Sequence, residues 1–415
     1  MSVAHNQLRV VRELWKRLQP LDRSVPNRLQ GLLADRRFGS RDRRLYRELL
    51  FTALRHARLL AAAPGEDEVA WASRLAAACA ASRETEAFRG AFAPATPPPA
   101  PDSLELTPPW FAAEVDAGAP ATGVAAALLA RAPVWVRVDP ARADHAQAEW
   151  DARGWTAVPH PVLTAARRLP PETNVSACAA YLSGHYEIQD LGSQAVLAAL
   201  DLPARGPGPR WLDACAGAGG KTLQLAALLG PDARIDAADV RPAALAELRA
   251  RAARAGLGGR IRTLPRAAAG ERYDGVLVDA PCTGSGTWRR APHLMACTGD
   301  AEIAAAARLQ TLILAESAAH VRPGGLLVYA TCSVARRENE AVAAAFLATH
   351  GGDYVSEPAA LDLGFPRLAL GLAITPGRWD NDGFYLAIFR RRPAPRAADF
   401  PLPETPGRQA SPDPP

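Results

Sequence analysis

The sequence predicts an α/β protein: a mostly parallel, doubly wound sheet in the C-terminal half, preceded by a small α/β unit and an N-terminal helical domain. Three observations predict it. From Tyr186 onward, short apolar runs alternate with helix-length runs, the pattern of strands covered on both faces. Residues 1–87 carry only helical spacing of apolar side chains. A proline-rich break at 88–109 separates the two patterns. With 415 residues, 48% of them hydrophobic, the chain has material for two or three domains with a real core.

In chain order, Leu8, Val11, Leu14, Trp15 and Leu18 mark a first helix, and Leu45, Leu49, Leu50, Ala53 and Leu54 another. Ser40 is the expected N-cap of the latter, with Arg41, Arg43, Arg44 and Arg47 crowding its first turns. That density of positive charge opposes the helix dipole, and a polyanion would relieve it. Residues 1–60 hold fourteen Lys and Arg against five Asp and Glu, although the whole chain is only +5. The basicity therefore sits at one end, as in a nucleic-acid-binding module, with a merely solvated basic bundle as the competing reading. VWVRVD (134–139) reads as a strand, residues 143–154 as a helix ending at Gly154, and WTAVP (155–159) as a second strand. Further strands read at 210–214, 234–239, 273–280 and 325–331, and helices at 221–229, 242–255, 301–320 and 337–349. GFYLAIFRR (383–391) follows an Asn381-Asp382-Gly383 turn and suits an antiparallel final strand. The expected division is 1–87 helical, 88–109 linker, 110–187 small α/β, 188–392 main α/β, and 393–415 a disordered tail with eight prolines.

No uncharged apolar run reaches the roughly 18 residues of a membrane span. The N-terminus has charges where a signal peptide has its apolar stretch, so a cytoplasmic chain with no membrane partner is expected. Six scattered Cys make neither a disulfide scaffold nor a zinc pattern, and no metal is expected.

Four strings carry chemistry, each at the carboxyl end of a predicted strand. In LDACAGAGGKT (212–222), Gly217, Gly219 and Gly220 let backbone approach a ligand at a helix N-terminus. A tight turn alone would also explain them, but Lys221 is one of only two lysines in the chain. Nineteen residues beyond Gly220, Asp239 stands where such folds place an acid for ribose hydroxyls; capping the next helix is the alternative. DAPCTGSGTWRRAP (279–292) and ATCSVARRENE (330–340) bring Asp279, Cys282 and Cys332 to the ends of two strands expected to be neighbours. A single buried cysteine is ordinarily a small hydrophobe. Two at one level of adjacent strands, beside a cofactor loop, point to chemistry.

Together these strings resemble the Nol1/Nop2/Sun family of S-adenosylmethionine-dependent RNA cytosine-5 methyltransferases over roughly residues 130–392. The Arg-rich N-terminal helices are similar to the NusB-like extension of its bacterial 16S rRNA methyltransferase B branch. The resemblance implies a Rossmann-like class I methyltransferase domain, a small RNA-binding subdomain, and S-adenosyl-L-methionine as cofactor. RNA, specifically 16S rRNA, is the implied partner of a chain expected to be monomeric. It further implies that Cys215, Ala216, Gly217, Ala218, Gly219, Gly220 and Lys221 hold the methionine part of the cofactor and Asp239 the ribose. Asp279 would lie between cofactor and base, Cys332 would be the nucleophile, and Cys282 would help product release. Arg41, Arg43, Arg44 and Arg47 would bind RNA. The family usually has Pro where this chain has Ala218, and an acid for adenine where it has Leu264-Pro265-Arg266-Ala267. Two other readings share the fold. A DNA cytosine-5 methyltransferase would use Cys282 as nucleophile, and a catalytically idle assembly factor would use neither cysteine.

Overall fold

The computed structural model describes residues 2–61, 67–96, 101–115, 118–202 and 208–393. The proline run at 97–99 and all but the first residue of the expected 393–415 tail lie outside them.

Five helices, Val3–Arg17, Val25–Leu33, Ser40–Arg55, Glu68–Ala78 and Glu86–Phe92, enclose one apolar cluster running from Ala4 to Phe92. Leu14, Leu49, Leu50 and Ala53 are fully buried in it, as their helical spacing predicts. The third helix is capped differently from the expectation. Gly39, not Ser40, is its N-cap, and the Gly39 N–H donates to the returning Asp42 carboxylate at 3.0 Å. That carboxylate also puts a negative charge in the first turn, offsetting part of the arginine repulsion.

A small sheet follows, built from β1 (Val134–Val138), β2 (Val158–Pro159), β3 (Ala166–Leu169) and β4 (Tyr186–Ile188). Its order is β2-β3-β1-β4 and every pairing is antiparallel. The expected second strand at 155–159 shrinks to two exposed residues, Val158 and Pro159, and Trp155 lies outside the ladder under the Arg153 guanidinium. Residues 110–129, read from sequence as part of this unit, pack elsewhere. Trp110, Phe111 and Leu128 share a cluster with Trp288, Met295 and Val334.

The large sheet contains β5 (Arg210–Asp213), β6 (Arg234–Ala238), β7 (Ile261–Leu264), β8 (Tyr273–Asp279), β9 (Val321–Thr331), β10 (Tyr354–Glu357), β11 (Arg367–Leu368), β12 (Gly371–Ile374) and β13 (Phe384–Arg391). Its order is β11-β12-β13-β9-β8-β5-β6-β7, with β10 also on β13. The run β9-β8-β5-β6-β7 is parallel and β13 is antiparallel to β9, so the fold is a Rossmann-like class I methyltransferase α/β fold. Val276, Leu277, Val278, Leu327, Val328 and Tyr329 are wholly buried, as strands covered on both faces require. Gly275 in β8 exists for packing: a Cβ there would lie 2.3 Å from the Trp211 ring of β5. This sheet fixes the site, because parallel strands deliver all their carboxyl ends to one edge.

Candidate active site

The glycine loop leaves β5 and enters the helix Gly220–Leu228. Gly219 has φ +88°, and a Cβ there would stand 2.6 Å from Leu248 Cγ, so only glycine closes this turn. The Ala216 N–H donates to the Ala238 carbonyl at 2.9 Å, stitching the loop to β6. Ala218 keeps its place without a proline ring. Its carbonyl accepts a 2.8 Å hydrogen bond from Arg251, itself paired with the buried Glu187 at 2.9 Å.

Asp239, just beyond β6, does not cap the following helix. It accepts the Gly217 N–H at 2.9 Å and the Arg241 N–H at 2.9 Å. The Arg241 guanidinium grips both carboxylate oxygens at 2.9 Å and holds the carboxyl below its usual range. Arg241 is 68% exposed, so this grip faces the solvent side of the loop. Next to it Val240 is 72% exposed.

Lys221 is 7% exposed and pairs with Asp279 at 2.8 Å. Its ammonium also lies 4.7 Å from the Phe384 ring centroid, a contact between residues 163 positions apart. Beneath them Asp213 is buried, with Oδ2 accepting from Thr222 at 2.7 Å and Oδ1 buried without a hydrogen-bond partner among the described residues. Burial is the main reason its carboxyl is pushed up to about 7; nearby Asp279 adds to the effect. Burial and the carboxylates of Asp213, Asp279 and Asp239 push the Cys215 thiol well up, which favours its neutral form.

β8 and β9 are parallel neighbours with Asp279 opposite Ala330, and beyond their ends the sulfurs of Cys282 and Cys332 are 3.3 Å apart. The hydrogen bond shared with Cys332 and the burial of Cys282 push the Cys282 thiol far up. The expected residues thus meet in three contacting pairs: Gly217 with Asp239, Lys221 with Asp279, and Cys282 with Cys332. Backbone bonds lock the loops together. Gly286 N–H donates to the Cys332 carbonyl and Gly383 N–H to the Gly286 carbonyl, both at 2.9 Å. One buried side chain was missed by sequence reasoning although it lies in a quoted string. Glu338, in a 3-10 turn ahead of the helix Glu340–His350, sits under both cysteine loops.

The four N-terminal arginines divide. Arg41, Arg44 and Arg47 are exposed, Arg44 lying 3.5 Å from Glu84. Arg43 instead donates to the Leu33 carbonyl at 3.0 Å and ties two helices together. Only its Nε–H is spent on that carbonyl, so the half-buried Arg43 keeps its terminal guanidinium N–H groups for a phosphate.

The family described as 16S rRNA methyltransferase RsmB/F matches residues 202–390. Ribosomal RNA small subunit methyltransferase B of Xanthomonas campestris pv. campestris is 34% identical over 292 residues, 68% of this chain and 65% of that protein. The protein of the same name from Enterobacter sp. strain 638 is 33% identical over 300 residues, 69% of this chain and 67% of that one. The chain belongs to the RsmB/F methyltransferase family. Its alignment spans somewhat under two thirds of the length of the Xanthomonas relative and 60% of that from Klebsiella pneumoniae strain 342. A solved methyltransferase homologue from Pyrococcus horikoshii is 27% identical with TM-score 0.56, covering 65% of this chain and 90% of that chain. The RsmB/F match contains the glycine loop, Asp239, Asp279, both clustered cysteines and Glu338; Arg41, Arg44 and Arg47 precede it. Among the described residues no group of three His, Cys, Asp or Glu could hold a metal ion, and no helix is long and apolar enough to cross a membrane.

Proposed function

We propose that this RsmB/F-family chain transfers a methyl group from S-adenosyl-L-methionine to C5 of a cytosine in RNA, with 16S rRNA as the substrate. The observation that carries this reading is the 3.3 Å cysteine pair at the strand ends, beside the Lys221–Asp279 pair.

The residues present fit the cofactor. The loop 215–221 brings backbone N–H groups and small residues to a helix N-terminus, Asp239 would accept ribose hydroxyls in place of the exposed Arg241 guanidinium that now holds both its oxygens, and exposed Val240 offers an apolar face for a base. When bound, S-adenosylmethionine supplies an electrophilic methyl on a positively charged sulfur. Lys221 and Asp279 line the way from that loop to the thiols, and buried Asp213 lies below.

The protein's own part begins at Cys332. Its thiolate adds to C6 of the cytosine, forming an S–C6 bond and pushing the C5=C6 electrons into the ring, so that C5 becomes nucleophilic. A proton at N3 stabilises this adduct, and the hydrogen bond between Lys221 and Asp279 is the route for it. After C5 is methylated its hydrogen leaves as a proton to solvent. The C5=C6 bond reforms, the S–C6 pair of electrons returns to Cys332, and the proton at N3 goes back to Asp279. Cys282, held as a neutral thiol, donates its S–H to the departing sulfur. The base must be unpaired or flipped to enter the cleft.

Transfer of labelled methyl from S-adenosylmethionine to rRNA, with bisulfite sequencing of 16S rRNA from a strain lacking the gene, tests the reading. One cytosine losing its protection supports it; an unchanged bisulfite pattern and no transfer to RNA overturn it. Replacing Arg41, Arg44 and Arg47 by Ala is expected to weaken RNA binding and lower its salt slope by about two. Cofactor affinity is expected to hold. An unchanged slope, measured by filter binding across salt concentrations, would show that these arginines are only a solvated face.

A further inference from the structure

Glu338 is wholly buried and has no ion-pair partner among the described residues, yet it is fully hydrogen-bonded. Its Oε2 accepts the Thr283 N–H at 2.9 Å and the Gln310 side-chain N–H at 3.1 Å. Its Oε1 accepts the hydroxyls of Thr283 and of Ser333, the latter at 3.0 Å. Four donors meet the roughly four lone-pair sites of one carboxylate. Thr283 follows Cys282 directly, and Ser333 follows Cys332 directly. The two carboxylate oxygens therefore join the residues next to both thiols, 50 positions apart in the chain.

The surroundings hold this carboxylate in place. Gln310 also donates to the Pro281 carbonyl at 3.0 Å, on the other side of Cys282. Tyr329, at the end of β9, donates to the Glu338 carbonyl. Asn339 accepts from Thr331 at 2.6 Å and donates to the Ser333 carbonyl at 2.9 Å, so it grips both sides of Cys332. Burying a carboxylate without a counter-charge is costly, and burial pushes its pKa up. An element that only joined two loops could be apolar. A full set of oriented acceptors is needed only if the two loops must hold a fixed spacing.

We propose that Glu338 is a positioning residue that sets the separation of the Cys282 and Cys332 sulfurs, and through it the step that releases the methylated base. Its catalytic consequence rests on the function proposed above; the spacing does not. Cys282 can stabilise the departing Cys332 sulfur only from hydrogen-bond distance, so a loosened clamp should slow release more than attack.

The spacing can be read without RNA or cofactor, by the rate at which diamide oxidises the two thiols to a disulfide while it is reduced to its hydrazine. Glu338→Leu keeps the bulk but removes every side-chain acceptor, and is expected to slow this crosslink at least tenfold. Glu338→Gln is expected to stay within about threefold of the unmodified chain, since its amide oxygen can take the two N–H donors and its NH2 can face the two hydroxyls. In the methyl-transfer assay Glu338→Leu is expected to accumulate a protein–RNA adduct while its affinity for cofactor changes less than twofold. Crosslinking at the unmodified rate in folded Glu338→Leu, or Gln behaving like Leu, overturns the proposal. Should Glu338→Leu fail to fold, Ser333→Ala severs only the arm to the Cys332 loop and is expected to slow crosslinking severalfold; an unchanged rate there also overturns it. If crosslinking responds as expected but the unmodified chain neither methylates RNA nor forms an adduct, the clamp stands and the assigned reaction falls.

Discussion

Cys332→Ala is expected to lose methyl transfer by on the order of 10⁴-fold or more and to form no covalent adduct with RNA. Cys282 is 3.3 Å away; in the variant it loses the hydrogen bond to Cys332 but keeps the burial that pushes its thiol up, and burial with three nearby carboxylates pushes the Cys215 thiol up as well. The substitution removes a small, partly exposed side chain at a strand end, so the fold should survive it. Binding of cofactor should persist, because the glycine loop and Asp239 are held by Leu248, Arg251 and Arg241 rather than by Cys332. Denaturing gel electrophoresis with labelled RNA checks the adduct, and labelled cofactor checks the transfer. An adduct that survives in Cys332→Ala would move the nucleophile to Cys282 and favour the DNA-type arrangement.

Cys282→Ala is expected to behave in the opposite way. Cys332 still attacks C6, but the departing sulfur loses the S–H donor that stabilises it. Overall turnover should fall by roughly 10²-fold, the usual scale for losing a proton-donating group. An RNA adduct should then accumulate and survive denaturation. A single-turnover experiment separates the steps: methyl appears on RNA at close to the unmodified rate, while free product appears slowly. If Cys282→Ala loses the methyl step as completely as Cys332→Ala, the division of labour between the two thiols is wrong. The pair of variants also distinguishes an enzyme from an idle factor, which would show neither adduct nor transfer in any form of the chain.

The parts of the site legible in the sequence are those where a local string suffices. Gly219 is required by its own φ and by a helix side chain 29 positions on, and a strand–Gly–Gly–helix string announces both. The two cysteines could be paired before any coordinates because alternating strands and helices imply a parallel sheet, and such a sheet sends its strand ends to one edge. The antiparallel β13 was legible for a similar reason, from its apolar run after an Asn-Asp-Gly turn. The weak strands were not. β7, β10, β11 and β12 are two to four residues long, too short for a period of two to stand out, and unlike the equally short β5 they lead into no glycine loop that marks them.

The sequence by itself determined the main α/β layering, the glycine loop, and which strand ends carry Asp239, Asp279, Cys282 and Cys332, because each of these follows from residues close together in the chain. Tertiary structure alone decided how the charges are used. Asp239 bonds to Gly217 and Arg241 rather than capping a helix, and Arg43 serves a helix end while Arg41 and Arg47 stay exposed. Glu338 joins loops whose contact residues stand at 283, 310 and 333. The physical reason is range. Strand and helix periodicity and turn conformation act over a few residues, whereas a buried carboxylate is satisfied by whichever donors folding brings within 3 Å, and their positions in the chain carry no pattern that announces it.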